Sequence, residues 1–530
     1  MAAPQLPRVM PVWNKWVPRW LQPWLCLACA FWFQMSGTIY GGVMSHFMGS
    51  ACLIHEDALM ITLCGVVGSC LPFPFLFRFK FHFTSRQIVM TSAIIIGVCN
   101  LIVTVCHCVP VLCVVSFTAG FFKLCGTFEN MSNIQLWITH RRDFKIFFPV
   151  LFSMVVGCMS LSPWLSLHLA YTFQDWRLMN WFMAGIMFLI ALMYHLCTHP
   201  FRFMKPMPLY ALDYLGMLLW AAVLLEIIFL FNYGEYYNWW NGRPWRTVAL
   251  LALPTTYLAV QRMRHIRHPY ILPEAWLHKR LLPLMALFAL MELINSTPKV
   301  LQNAFTGSTL HYGIMQTDTI YLVEFFGTIS GMTFIIYWVK VLKMKYTRLL
   351  EIGTAAMLAY TAMLYLTVSP GVTLEYLYVA VYCRTFGYAL FFAVLTIYLC
   401  DLMPFHQFFM GLTMVGFIRN GMAQTVCSGI YSFCLRHNIM ENLQRGLPYD
   451  SSQALLLSVK QLYGATCLIA LVVLVTLLLW NLQPVRSTMR KIPYWNVVGR
   501  IMRKRGRARM KAIRLEEAAE EAEESAPAQG

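Results

Sequence analysis

Apolar stretches of about 20 residues recur about fourteen times along this chain, and Lys and Arg crowd every second gap between them. Arg78, Lys80 and Arg86 share one gap; Arg141, Arg142 and Lys145 lie two gaps later, followed by Arg202 and Lys205. Arg262, Arg264, Arg267, Lys279 and Arg280 come next, then Lys340, Lys343, Lys345 and Arg348. The intervening gaps are short and nearly neutral or acidic, as at Glu56-Asp57 and around Glu375. Cationic loops stay on the cytoplasmic side during insertion, so the alternation predicts an even number of crossings with both termini inside. The expected spans are 22–46, 57–77, 87–106, 109–137, 145–171, 176–197, 209–231, 245–263, 280–305, 317–341, 348–368, 374–402, 408–434 and 453–481. Trp and Tyr gather at their ends (Trp20, Trp24, Trp176, Tyr236, Trp240), as amphipathic rings do at headgroup level. Gly65/Gly68 and Gly327/Gly331 offer close helix approach, and Pro72/Pro74 and Pro163 fall within spans.

Composition sharpens this picture. The 530 residues are 59% hydrophobic and 12% charged, against about a quarter charged in soluble domains. A formal charge of +18 would suggest nucleic acid in a soluble protein; here it lies in loops facing anionic headgroups, so no nucleic-acid partner is expected. No extramembrane segment is long enough for a folded domain, and no nucleotide loop occurs, so an enzyme is not expected. Most of the 17 cysteines sit inside spans as small apolar residues. Cys26-x-x-Cys29 lies in an apolar helix and Cys106-His107-Cys108 lacks further ligands, so no metal site is expected. The apolar run after Trp20 is too long for a cleavable signal and reads as the first span. After Gln483 a basic stretch, Arg486 to Arg514, reads as an interfacial helix, and Glu516 to Glu524 as a solvated acidic tail.

Charges deep in the spans are the candidate chemistry, because a charge at mid-bilayer is costly and normally faces a bundle interior or aqueous cavity. Lys123, Glu292, Glu324, Arg384 and Arg419 lie well inside the hydrocarbon, and Glu226 is also deep. Glu129 sits near the inner end of its span with Asn130 and Asn133, and His168 towards the outer end of the next. Two readings are open. Arg384 or Arg419 pairs with Glu292 or Glu324 simply to lock helices. Alternatively, Glu292 or Glu324 takes and releases a proton in a midplane cavity, since desolvation raises a carboxylate's proton affinity and a nearby Arg lowers it.

Several segments together resemble the fourteen-helix drug:proton antiporter branch of the major facilitator superfamily, the EmrB/QacA type. Leu212-Asp213-Tyr214-Leu215-Gly216 resembles its Asp-x-x-Gly opening of span 7, and Asn232-Tyr233-Gly234 through Trp239-Trp240 its periplasmic turn. His268-Pro269 through Leu277, Phe391-Phe392 with Leu395-Thr396-Ile397, and Phe417-Ile418-Arg419 are similar to its spans 9, 12 and 13. Asp175-Trp176-Arg177 with Asn180-Trp181 is similar to its start of span 6. The likeness covers roughly residues 20–482. The N-terminal half departs from the pattern. The cytoplasmic motif after span 2 keeps only basic residues (Arg78, Lys80, Arg86), span 1 has Met35-Ser36-Gly37-Thr38 in place of Leu-Asp-x-Thr, and the span 4 Arg is Ser116.

The resemblance implies an all-α membrane protein of the major facilitator fold. Two six-helix bundles, residues 22–197 and 280–481, would be joined by two inserted linking helices at 209–263. Residues 1–21 and 482–530 would be cytoplasmic. The expected substrate and proton pathway is Lys123, Glu129, Asn130, His168, Glu292, Glu324, Arg384 and Arg419, with Lys123 standing in for the cation replaced by Ser116. The implied function is efflux of amphipathic organic compounds across a bacterial inner membrane, with the proton gradient as energy source and no cofactor. A periplasmic adaptor and an outer-membrane channel are the implied partners. The alternatives are an uncoupled facilitator or importer on the same fold and a non-transporting membrane sensor or scaffold.

Overall fold

The computed structural model describes residues 12–138, 144–201, 209–210, 212–266, 268–273, 281–310, 313–342, 347–369, 371–403, 405–444 and 451–482. Arg141, Arg142, Arg202, Lys205, Arg267, Lys279, Arg280, Lys343, Lys345 and the tail after residue 482 lie outside them. Contacts divide the chain into Met1–Val472 and Val473–Gly530. The described residues of the second unit are the end of the last helix.

The first half runs α1 (Gln22–Met35), α2 (Met44–Ala51), α3 (His55–Cys70), α4 (Leu76–His82), α5 (Ser85–Val105), α6 (Val109–Ile138), α7 (Phe144–Phe173) and α8 (Leu178–Cys197). Then come α9 (Tyr214–Asn232) and α10 (Arg243–His265). The second half comprises α11 (Leu281–Asn295), α12 (Ile314–Tyr337), α13 (Thr347–Thr367), α14 (Leu374–Leu402), α15 (Phe405–Gly416), α16 (Gln424–Gln444) and α17 (Ser451–Leu482). Among the described residues, ten helices are long and apolar enough to cross a membrane. The other four expected spans fall on α1, α3, α10 and the α15–α16 pair.

Two expected spans end early. The first stops at Met35 instead of running to residue 46: Ser36 is extended (ψ 134°), and the chain re-forms helix only at Gly41–Val43 and α2. The second stops at Cys70, because Pro72 and Pro74 lack the N–H that would continue it; Phe75 N donates to Pro72 O and a new helix, α4, begins. Thr84 then starts α5 with a capping box, its side chain accepting from Gln87 N while Gln87 receives the Thr84 N–H. Residues 12–14 are not a loose tail. Trp13 bridges Thr198, and Asn14 N donates to Cys197 O at 2.9 Å.

Within the first half α6 packs on α1, α3 and α5, α5 on α8, and α7 on α1 and α8. Small residues set the α3–α6 distance: a Cβ on Gly120 would stand 1.9 Å from the Gly65 carbonyl oxygen. In the second half α14 packs on α11, α12 and α13. The halves meet where α7 packs on α12 and α14, and where α3 packs on the π-helical turn Phe417–Ala423 between α15 and α16. The linking helices pair with each other, α9 also lying against α3, α16 and that π turn. The Asp213 of the Asp-x-x-Gly motif caps α9, accepting from Gly216 N at 2.9 Å and pairing with Arg262 of α10 at 2.7 Å. Tyr270 N also donates to Asp213 at 3.3 Å, while the Tyr270 hydroxyl, held protonated by burial well above its ordinary range, donates to Leu71 O at 2.7 Å.

Candidate functional site: a cavity at a broken helix and a buried charge network

The break after α1 leaves carbonyls that a continuing helix would have satisfied. They are met from three other helices. Ser162 donates to Met35 O at 3.1 Å, Lys123 Nζ to Ser36 O at 2.8 Å and Asn180 to Thr38 O at 2.9 Å. Thr38 also bonds Ser116 at 2.6 Å, and Gln34 donates to Thr127 at 2.8 Å. The re-formed turn sits on α7, where Gly42 is obligatory: a Cβ there would lie 2.2 Å from Pro163 O. Irregular backbone at membrane depth is tolerated where it lines a cavity or is buried in protein. Here it lines a cavity of about 860 Å³. Helices α3, α6 and α7 supply most of the remaining wall, and α14, α15 and the π turn close it from the second half with Phe392, Thr396, Phe408, Phe409, Arg419 and Asn420.

Beside the cavity a chain of polar contacts joins four helices. Arg419, on the π turn, donates from Nε to Glu292 Oε1 of α11 at 3.1 Å and to the Tyr388 hydroxyl of α14 at 2.7 Å. Tyr388 in turn donates to Glu292 Oε1 at 3.0 Å. The Arg419 guanidinium lies 4.0 Å over the Phe392 ring. Asn295 donates to Glu292 Oε2 at 3.4 Å and accepts from Arg384 at 2.8 Å, and Arg384 pairs with Glu324 of α12. Glu292 is 2% exposed and Arg419 8%, a depth at which each ion needs its partner. Each deep arginine thus holds one deep carboxylate, and Asn295 links the two pairs.

Phenylalanines from both halves meet along the cavity wall. Phe77 and Phe128 stand 4.4 and 5.8 Å from Phe409, and Phe148 and Phe152 stand 5.6 and 4.5 Å from Phe408 and Phe392. Lys80 of α4, a remnant of the cytoplasmic motif, is paired there with Glu129 at 3.3 Å and donates to Asn133 at 3.3 Å and to Ser132. Ser85 donates to the same Glu129 oxygen at 2.5 Å. Arg86 meets His195 Nδ1 at 2.6 Å, and Arg78 is half-buried on α4.

Of the expected pathway residues, Lys123 and Arg419 line the cavity, Glu129, Glu292, Glu324 and Arg384 are in the ion pairs described, and Asn130 and His168 lie apart from both. Asn130 is buried and accepts from the Tyr194 hydroxyl of α8 at 2.5 Å. His168 is exposed and stacked on Trp164. Glu226, deep in its span but not among the expected pathway residues, accepts from Thr255 at 2.5 Å, tying α9 to α10. Gln34, Asn180, Asn295 and Tyr388 were not singled out by sequence for the site. The available signal was the run of Ser36, Gly37, Thr38, Gly41 and Gly42 interrupting an apolar stretch. Cys26 and Cys29 are buried thiols, and among the described residues no group of three His, Cys, Asp or Glu could hold a metal.

No family model matches the chain, and no curated protein matches it. Among solved structures the fold is similar to the crystal structure of a mutant of the nucleoside transporter NupG. The TM-score is 0.54 with 9% of residues identical, covering 86% of this chain and 99% of that one. The chain is a multi-pass, all-helical membrane protein with a major-facilitator-type fold. The likeness reaches the fold and does not single out the EmrB/QacA branch.

Proposed function

We propose that this chain is an alternating-access transporter that moves an amphipathic organic compound through the cavity at the α1 break, coupled to the proton gradient by the paired carboxylates of its second half. The observation that carries the reading is the shared wall. One cavity is bounded by α1, α3, α6 and α7 on one side and by α14, α15 and the π turn on the other. A ligand there touches both halves, so its binding can bias how they close. The wall mixes aromatic rings with a few fixed polar groups, the pattern of sites for small organic molecules. Glu292 and Glu324 are the carboxylates this coupling would use, each held by a deep arginine. The setting remains a bacterial inner membrane with both termini cytoplasmic. Efflux, with a periplasmic adaptor and outer-membrane channel, follows from the sequence resemblance alone.

The test is substrate-driven proton movement in proteoliposomes of pure protein, with the Glu292→Gln/Glu324→Gln variant alongside. The panel contains bile acids, fatty acids and lipophilic cations under an imposed pH gradient. Coupled movement in the wild type that the double variant loses supports the proposal. Equal substrate flux in both, with no proton movement, means an uncoupled facilitator. Saturable binding without any flux means a sensor.

A further inference from the structure

The segment that precedes α1 is fixed to the end of α8. Asn14 Nδ2 donates to Leu196 O at 2.9 Å and His199 N to Val12 O at 3.1 Å, beside the Trp13–Thr198 bridge. The turn that follows closes on itself, Val17 N donating to Asn14 O at 3.1 Å and Gln22 to Val17 O at 3.2 Å. Val12, Trp13 and Val17 are buried, and the Trp13 ring lies 5.7 Å from Tyr194. A segment held on one face presents a set arrangement of side chains on the other. That face carries the exposed cations Lys15 and Arg19 with Trp16 and Trp20, each 67% exposed, and Trp24 on the first turn of α1 is 64% exposed. Arg86 of α5 reaches the same end of α8, where it meets His195 Nδ1 and not a carboxylate.

The surrounding sequence offers these cations little to pair with. No Asp or Glu occurs before Glu56, between Asp57 and Glu129, or between Asp175 and Asp213, and every segment of this corner falls in one of those stretches. Glu129 accepts from Ser85, the neighbour of Arg86, but it is buried and paired with Lys80. Among the described residues Lys15, Arg19 and Arg86 form no ion pair.

We propose that this corner is a docking surface for anionic phospholipid, with lipid phosphates answering Lys15, Arg19 and Arg86 and the rings of Trp16, Trp20 and Trp24 seated in the headgroup layer. The proposal stands apart from the transport reading. Charge alone would suit an acidic peptide as well, the chain's own Glu516 to Glu524 run included. The rings decide between them. Three indoles bared to water are unfavourable, whereas at headgroup depth the apolar body faces the acyl chains and the N–H faces the polar groups. The adjoining face of α8 agrees. Leu189, Leu192 and Leu196 are exposed at helical spacing and lead towards the residues that hold the segment. Exposed surface thus passes from aliphatic to aromatic and cationic, the order met in a leaflet from hydrocarbon to phosphate. Each cation near the surface adds to the attraction for anionic lipid, and salt screens it.

Full-length protein in detergent is titrated with phosphatidylglycerol and, separately, with phosphatidylcholine of the same acyl chains, and bound lipid is counted by native mass spectrometry. The wild type is expected to hold its first phosphatidylglycerol about tenfold tighter than phosphatidylcholine, a preference that shrinks as salt is raised. Lys15→Gln/Arg19→Gln/Arg86→Gln is expected to lose most of that preference. Arg243→Gln/Arg246→Gln/Arg264→Gln, which removes three exposed cations of α10 instead, is expected to keep it. No preference in the wild type, its survival in the first variant, or its equal loss in the second would each overturn the assignment. Trp16→Ser/Trp20→Ser changes only exposed side chains, so it tests the surface even where the first variant fails to fold. It is expected to weaken both lipids severalfold, and unchanged binding would remove the rings from the headgroup layer. Carbodiimide treatment of the wild type in phosphatidylglycerol nanodiscs checks the occupant. A Lys15 cross-link to Glu516–Glu524 would make the acidic run the occupant and overturn the lipid; none is expected.

Discussion

Arg419 and Lys123 are both deep cations, yet their surroundings predict opposite responses to mutation. Arg419 is buried between Glu292, Tyr388 and the face of Phe392. Truncating it leaves a buried carboxylate without its ion, a defect that typically costs about 3–5 kcal/mol, whereas removing both ions together is far less costly. Arg419→Leu is therefore expected to give little folded protein, and Arg419→Leu/Glu292→Gln to restore most of it. Thermal unfolding of the purified variants measures the difference, and a double variant no better than the single would sink the idea that the pair holds the fold. Lys123 borders the cavity, where water can replace its one bond to Ser36. Lys123→Ala is expected to stay folded, with a monodisperse elution profile, and to lose at least tenfold in transport. A fully active variant would remove Lys123 from the site. The depth of these charges was legible in the sequence, because a low-dielectric interior makes each one stand out. Their partners were not: pairing Glu292 with Arg419 rather than Arg384 is a fact of helix packing, and Tyr388 and Asn295 are uncharged, so nothing in the chain flags them.

At the scale of elements, α3 and α6 approach through their glycines, with a Cβ at Gly120 meeting the Gly65 carbonyl. Gly120→Val must push the helices apart along a face that also carries Ser116, the partner of Thr38. It is expected to cut the yield of folded protein severalfold by fluorescence-detected size exclusion, while Gly185→Val on α8, where nothing stands within 4 Å, is tolerated. Equal yields would mean the close approach is not required. The apolar run lengths and the alternation of basic gaps were enough to read the long helices, since both follow from bilayer thickness and insertion. They missed the break after Met35 because Ser36, Gly37 and Thr38 are few and Ile39, Tyr40 and Val43 restore the apolar average. The π turn carrying Arg419 was equally invisible, one widened turn leaving no mark in the periodicity. Both irregular segments are where the cavity and its cations lie, in keeping with the tendency of π turns and broken helices to sit at functional sites.

The proposed transport cycle requires the halves to separate on one side of the cavity while they close on the other, so a bond between them should stop it. The contact of α3 with the start of the π turn offers one. Cys70 is a buried free thiol, and a Cβ on Gly416 would lie 3.4 Å from the Cys70 Cβ and 3.2 Å from its sulfur. Disulfides favour Cβ separations of about 3.5–4.5 Å, so Gly416→Cys needs only a small shift to pair. Treated with a membrane-permeant oxidant, Gly416→Cys is expected to form a Cys70 cross-link visible by peptide mass spectrometry and to lose transport. Reductant should restore it. The wild-type chain under the same oxidant controls for its other cysteines. A cross-linked protein that still transports at the wild-type rate would show that this face need not open. The movement would then have to come from the contacts of α7 with α12 and α14, with α3 and the π turn acting as a fixed hinge.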